Sequence, residues 1–85
     1  MKFKLKKSLF DLLIEVPEVD EYILNKFEID DSIEFNIETK DIREVQLLIN
    51  DEIVLNGMDN QDTVNKLGLK LYKLYDEIVY QKDNQ

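Results

Sequence analysis

Any chemistry in this chain has to come from carboxylates, hydroxyls and lysines, because the side chains that most often perform catalysis are missing. The 85 residues include 19 Asp and Glu and 11 Lys and Arg, but no His and no Cys. The sequence therefore lacks the usual general base and the thiolate nucleophile, and Ser8, Ser32, Thr39 and Thr63 have no such partner to activate them. We expect no catalytic residues, no metal site, no cofactor and no enzymatic activity.

The carboxylates are concentrated in the middle of the chain. Residues 1–10 carry four lysines and no acid, residues 11–52 carry fourteen acids and three bases, and the formal net charge is −8. We name eight of these acids the predicted acidic band: Asp30, Asp31, Glu34, Glu38, Asp41, Glu44, Asp51 and Glu52. Spaced carboxylates can occupy the phosphate positions of a basic groove, which makes this band the candidate partner-binding surface. A face that only maintains solubility and a divalent-cation site are the alternatives.

A second candidate surface is apolar and consists of Leu48, Val54, Leu69, Tyr72 and Tyr80. The first two are expected to face each other across a hairpin, on the side opposite the main core. The other three are expected along or beside the outer side of a final helix. Tyr is enriched in protein interfaces, so these residues either pack under a neighbouring helix or form an interface through which two copies of the chain pair.

The elements that position these residues follow from the spacing of apolar side chains. Alternation predicts strands over residues 2–6 and 33–37, the second with an acidic outer face. Between them, the apolar residues from Leu9 to Phe27 keep one helical face, and Pro17 interrupts it. Residues 9–27 therefore form either two short helices that meet at a bend or one kinked helix, and we favour two.

Residues 43–49 and 53–56 also alternate, which predicts a hairpin with a three-residue loop over 50–52. This register places one set of side chains on a common buried face: Val45, Leu47, Ile49, Ile53 and Leu55.

A final helix is expected after a cap at Asp59 or Asn60, with Asp62 in its first turn and a fraying tail over 81–85. Its predicted buried stripe is Val64, Leu67, Leu71, Leu74, Tyr75 and Ile78. Gly68 lies in that stripe and indicates a close approach of the helix to the sheet. We thus predict one α+β domain over residues 1–85. A small antiparallel sheet of three to four strands packs against N-terminal helices and a long C-terminal helix.

Charge and hydropathy also limit the kinds of partner that the chain is expected to bind. A net charge of −8 argues against direct binding of nucleic acid, whose affinity for proteins comes mainly from Lys and Arg. The sequence has no run of ~18–20 apolar residues that could span a membrane, and we expect a cytoplasmic protein. The basic N-terminal strand, with Lys2, Lys4, Lys6 and Lys7, is expected to form cross-strand pairs with the acidic strands.

Two resemblances accompany these predictions. The segment 12–19, with Ile23, Leu24 and Phe27, resembles the opening of a small family of uncharacterised helical bacterial domains, and that likeness implies no function. In size, acidity and order of elements, the chain is similar to small phage-encoded inhibitors, in particular acidic anti-CRISPR proteins that occupy the DNA-binding surface of a CRISPR nuclease. This resemblance is architectural, so it assigns no residue by position.

The second resemblance implies a non-enzymatic domain from a phage or mobile element that blocks a basic, nucleic-acid-binding surface of a host protein. One alternative is a structural or assembly protein that self-associates through its hairpin and C-terminal helix. A further alternative is an antitoxin or immunity protein.

Overall fold

A computed structural model of the protein describes residues 1–59 and 63–85. The elements in chain order are β1 (Lys2–Lys6), α1 (Lys7–Glu15), a 3-10 turn (Val19–Tyr22), β2 (Leu24–Ile29), β3 (Ser32–Asn36), a second 3-10 turn (Thr39–Asp41), α2 (Ile42–Asn56) and α3 (Lys66–Asp83). The sheet is antiparallel with the order β1-β3-β2, so the predicted α+β class is confirmed. No helix in the described ranges is long and apolar enough to cross a membrane.

The two strands read from alternation, β1 and β3, pair with each other as neighbours. Phe3 lies opposite Phe35 and Leu5 opposite Ile33, and all four side chains are buried beneath the helices. The rings of Phe3 and Phe35 stack with their centroids 5.7 Å apart. The lysines of β1 alternate with these residues and face solvent, as a strand with one buried side requires.

The predicted second N-terminal helix is wrong, because residues 24–29 form β2. The helical path ends at Val16, which is extended as the residue before a proline favours, and Glu18 after Pro17 adopts a left-handed conformation with φ of 71° before the short turn at Val19. β2 then pairs with β3 and satisfies its backbone hydrogen bonds there. Phe27, which the helical phase placed in the core, is 62% exposed.

The predicted hairpin is also wrong, because residues 42–56 form a single helix, α2. Its buried residues Ile42, Val45, Ile49 and Ile53 follow at intervals of three and four, which is one face of a helix. The apolar residues of this segment also fit the two-residue repeat of a strand. However, residues 50–52 contain no Gly, which a tight hairpin turn favours.

The correction changes the expected burial of several side chains. Leu47 and Leu55, predicted to be buried, are 48% and 76% exposed. Leu48 and Val54 do not face each other across a hairpin; they lie on one helix, Leu48 half-buried and Val54 exposed.

The final helix is confirmed, but it begins later than predicted, at Lys66. Its N-cap is Asn65, whose Oδ1 accepts the backbone N–H of Gly68 at 2.8 Å, so Asp59 does not cap it. Asn60 and Asp62 lie outside the described residues. Within the predicted stripe, Leu71, Leu74 and Ile78 are buried and Tyr75 is half-buried, whereas Leu67 is exposed and Val64 precedes the helix.

Gly68 does allow a close approach, but to the end of α2 rather than to the sheet. A Cβ at Gly68 would overlap the carbonyl oxygen of Gly57. The Gly57 carbonyl also accepts the N–H of Asn65 at 2.9 Å, and the Asn65 side chain donates to the carbonyl of Asn56. Asn65 therefore joins the end of α2 to the beginning of α3.

The C-terminal residues 81–85, predicted as a fraying tail, continue α3 to Asp83 and cover the free edge of β1. Gln81 accepts the backbone N–H of Lys4 at 2.9 Å and donates to the carbonyl of Lys4 at 2.6 Å. Gln85 makes the same two bonds with Lys2. Four helical residues rise about 6 Å and two strand residues about 6.6 Å, so two glutamines one turn apart match alternate residues of the strand. The two amides act as the missing neighbour of an edge strand.

Gln81→Ala is expected to lower the free energy of unfolding by about 1–2 kcal/mol, since it removes two hydrogen bonds to an edge strand. Hydrogen exchange of the Lys4 amide should accelerate with it. Gln46→Ala, the same truncation on α2, serves as the control and should leave that amide protected. Equal exchange of the Lys4 amide in both variants would show that Gln81 does not protect the edge.

Candidate functional site

The structure divides the predicted acidic band among three regions. Asp30 and Asp31 lie in and beside the turn between β2 and β3, and Glu34 is on the solvent side of β3. Three more acids lie at the start of α2, and two lie about 14 Å further along that helix. The former are Glu38, Asp41 and Glu44, and the latter are Asp51 and Glu52. The eight acids therefore do not form one continuous surface.

Two members of the band have lysine partners. Glu34 forms an ion pair with Lys2 at 2.9 Å, which confirms the predicted cross-strand pairing for that lysine. Glu38 lies 3.6 Å from Lys40. The charge of these carboxylates is thus partly compensated within the molecule, which makes them weaker candidates for a partner's basic groups.

Four carboxylates from two segments of the chain act on Tyr22 through their charge. We name this group the acidic corner: Glu18, Glu21, Asp41 and Glu44. Partial burial raises the pKa of the Tyr22 hydroxyl, and the four negative charges raise it further, Glu44 most strongly. Among residues 1–59 and 63–85, no Lys or Arg forms an ion pair with any of these four.

The acidic corner combines predicted and unpredicted residues. Asp41 and Glu44 come from the predicted band, at the N-terminal end of α2, where a helix dipole favours negative charge. Glu21 lies in the 3-10 turn Val19–Tyr22, and Glu18 directly precedes that turn. The turn packs against α2. Sequence reasoning assigned Glu18 and Glu21 to a helix, so it could not bring them to Asp41 and Glu44.

The corner does not have the geometry of a metal centre. Within the part of the chain that the structure describes, no three acidic side chains converge closely enough to hold an ion. Its four carboxylates come from two separate segments of the chain and share an effect on the pKa of Tyr22.

Four of the five residues of the apolar candidate surface are exposed, but they lie on helices and not on a hairpin. Leu48 packs against the core, whereas Val54, Leu69, Tyr72 and Tyr80 are exposed on α2 and α3. The two helices pack together, and the structure adds Leu47 and Leu55 to their exposed apolar residues. The predicted hairpin surface is therefore replaced by the outer surface of a helix pair.

Sequence reasoning missed one exposed aromatic residue, Phe27 on β2. The local signal was present, because Phe27 and Ile29 alternate with Lys26 and Glu28 as in a strand. Phe27 also fits the helical repeat of apolar residues that begins at Leu9, and the prediction of a helix was preferred to that of a strand.

Comparison with known proteins gives no further assignment: no protein-family model, no curated protein and no solved structure matches the chain. The fold and the corner together define the class as a small acidic α+β domain. Its function has to be argued from the surfaces described above.

Proposed function

We propose that this chain is a non-enzymatic protein-binding domain that docks its acidic corner into a basic, nucleic-acid-binding surface of a host protein. One observation carries the proposal: the 3-10 turn contacts α2, the four carboxylates of these two regions all raise the pKa of Tyr22 between them, and the described residues supply none of the four with an ion-pair partner. A net charge of −8 adds to the field at that corner.

The energetics of the corner favour an external partner. Like charges held near one another repel and reduce the stability of the fold, and lysines or arginines of a partner would relieve that repulsion. Charges of this kind act mainly by steering the encounter, so they raise the association rate more than they slow dissociation. A surface that binds nucleic acid offers the complementary positive charge.

Size, acidity and the absence of the usual catalytic side chains fit the class of phage or mobile-element inhibitors, the anti-CRISPR type among them. Under this proposal the protein acts in the cytoplasm of a host cell and competes with nucleic acid for its target.

The test uses an oligolysine peptide as the basic probe, with binding followed by fluorescence anisotropy at low salt. Glu21→Gln combined with Glu44→Gln should weaken binding by roughly 10-fold or more, mainly through the association rate. Asp11→Asn combined with Asp76→Asn removes the same charge from exposed positions on α1 and α3. This control pair should change the affinity less than about 2-fold.

A second measurement addresses the competition itself. Proteins captured from host lysate by the immobilised chain should be released by a DNA duplex and should not be captured by the Glu21→Gln, Glu44→Gln variant. Equal loss of oligolysine binding in both charge pairs would show that the negative field is diffuse and that the corner is an ordinary solvated surface.

The exposed apolar residues of α2 and α3 favour a second candidate, a structural or assembly protein that self-associates through this helix pair. Salt separates the two candidates, because apolar association persists at high ionic strength while charge docking weakens. A dimer that sedimentation velocity detects equally at low and high salt would favour the second candidate.

A further inference from the structure

The side of the sheet away from the helices carries three ordered columns of side chains, which we name the outer sheet face. Strand register places Lys4, Glu34 and Phe27 in one row across β1, β3 and β2. The rows on either side repeat the pattern of lysine, polar residue and apolar residue. They consist of Lys2, Asn36 and Leu24 at one end and of Lys6, Ser32 and Ile29 at the other.

The outer sheet face is locally positive on an acidic protein. It has three exposed lysines and one carboxylate, Glu34, which pairs with Lys2. Lys4 and Lys6 form no ion pair within residues 1–59 and 63–85. Exposed charges are screened over about 8 Å at physiological ionic strength, so distant acids cancel this local charge only partly. Asp11, Glu15 and Glu77 line a cleft with Lys4 and Lys6 and reduce it at the free edge of β1, where Lys70 and Lys73 of α3 add positive charge.

Phe27 is the most unusual residue of this face. Its side chain is 62% exposed in the middle of an edge strand, where burial under the helices is available only to residues of the opposite face. An exposed aromatic ring on the same sheet face as a column of cations, with one strand between them, has two chemical uses at once. It stacks on a flat ligand, while the cations hold anionic groups attached to that ligand.

We propose that the outer sheet face binds single-stranded nucleic acid, with phosphates along the lysine column and a base stacked on Phe27. Alternate strand residues lie about 6.6 Å apart, close to the spacing of adjacent phosphates in an extended single strand. The lysine column and Phe27 are two strands apart, about 10 Å, which is the reach from a phosphate to its base. The polar column between them, Ser32, Glu34 and Asn36, lies where base edges would pass.

This site is separate from the acidic corner and does not rest on the function proposed above. The net charge of −8 opposes any polyanion, so the affinity is weak and most evident at low salt. Stacking on an aromatic ring tolerates every base, so the site reads the single-stranded state rather than a sequence.

The experiment measures fluorescence anisotropy of a labelled oligo-dT of about 12 nucleotides, and the expected Kd is roughly 10–100 µM, as for other non-specific binding. Phe27→Leu keeps an apolar side chain but removes the ring, and it should weaken binding roughly 5- to 100-fold. Lys4→Gln combined with Lys6→Gln should weaken binding and flatten the salt dependence by about 0.7 in logarithmic slope for each lost phosphate contact. Lys66→Gln combined with Lys82→Gln removes the same charge from α3 and should change the affinity less than about 2-fold.

Several results overturn the proposal. One is the absence of saturable binding at about 500 µM protein, beyond the non-specific range. Another is wild-type affinity in Phe27→Leu with an unchanged melting temperature, which would leave only charge attraction. Equal losses in the two lysine pairs, or stronger binding to phosphatidylserine vesicles than to the oligonucleotide, also contradict it. Retained fold with a selective loss in the Phe27 and Lys4, Lys6 variants supports it.

Discussion

Replacing Ile49 by alanine is expected to lower the free energy of unfolding by about 2–5 kcal/mol. Ile49 is fully buried in the middle of α2 and belongs to the core cluster that joins the sheet to the helices. Truncation leaves a cavity that this small core can close only partly. The whole domain is stabilised by only roughly 4–13 kcal/mol at its size, so the variant is expected to be close to unfolding at 37 °C.

Leu47→Ala is the matched comparison, because the two residues lie two positions apart on the same helix. Leu47 is 48% exposed, so its truncation removes little buried area and should lower the free energy of unfolding by less than about 1 kcal/mol. In a hairpin the two side chains would share one buried face, and the two alanine variants would lose similar amounts of stability. Urea unfolding followed by circular dichroism distinguishes the cases, and a loss above about 2 kcal/mol for Leu47→Ala would exclude α2 as described.

The ambiguity of α2 shows why part of the fold could not be read from the sequence. Val45, Ile49 and Ile53 fit a helical stripe and an alternating strand pair equally well, and β-branched residues favour strands by local propensity. Packing against α3, through the contact of Gly57 with Gly68, selects the helix. The uninterrupted run of fifteen residues without Gly or Pro was the sequence signal for it.

The sequence prediction for residues 24–29, which form β2, was wrong for a different reason. Leu24 and Phe27 continue the helical phase of the preceding segment, but the chain leaves the helix at Val16, before Pro17, and Glu18 then adopts a left-handed conformation. Pro17 signalled the interruption, but the periodicity did not show that a strand rather than a second helix follows it. The pairing partner of β2 is β3, and a partner strand cannot be deduced from the periodicity of one segment. β1, α1, β3 and α3 were predictable because each has one buried face and a single clear period.

Two of the four residues of the acidic corner could be selected from the sequence. Asp41 and Glu44 could be selected because acids cluster in that part of the sequence. Glu18 and Glu21 join them only because the turn at residues 19–22 packs on the start of α2, a tertiary contact between two segments that had both been misassigned. Charge could therefore be placed on the molecule from sequence, but its convergence around Tyr22 could not.

Gly68→Ala is the second substitution with a large expected effect, and two opposing terms decide its sign. Alanine favours a helix over glycine by about 1 kcal/mol, so a Gly68 free of neighbours would be stabilised by the change. In this protein the new Cβ would overlap the Gly57 carbonyl oxygen and lie 2.8 Å from Cγ1 of Val64. Val64 can rotate away, but the Gly57 carbonyl is backbone and accepts the N–H of Asn65, so it cannot yield without loss of that bond.

Relief of the overlap requires α3 to move away from the end of α2, which also loosens the N-cap that Asn65 provides to Gly68. Overpacking of this kind lowers stability by about 1–3 kcal/mol and occasionally by more, which exceeds the helix-propensity gain. We therefore expect a net loss of about 1–2 kcal/mol in urea unfolding. Leu69→Ala, at the adjacent exposed position, should change stability by less than about 0.5 kcal/mol. A stabilised Gly68→Ala variant would mean that α2 and α3 do not approach each other at these two glycines.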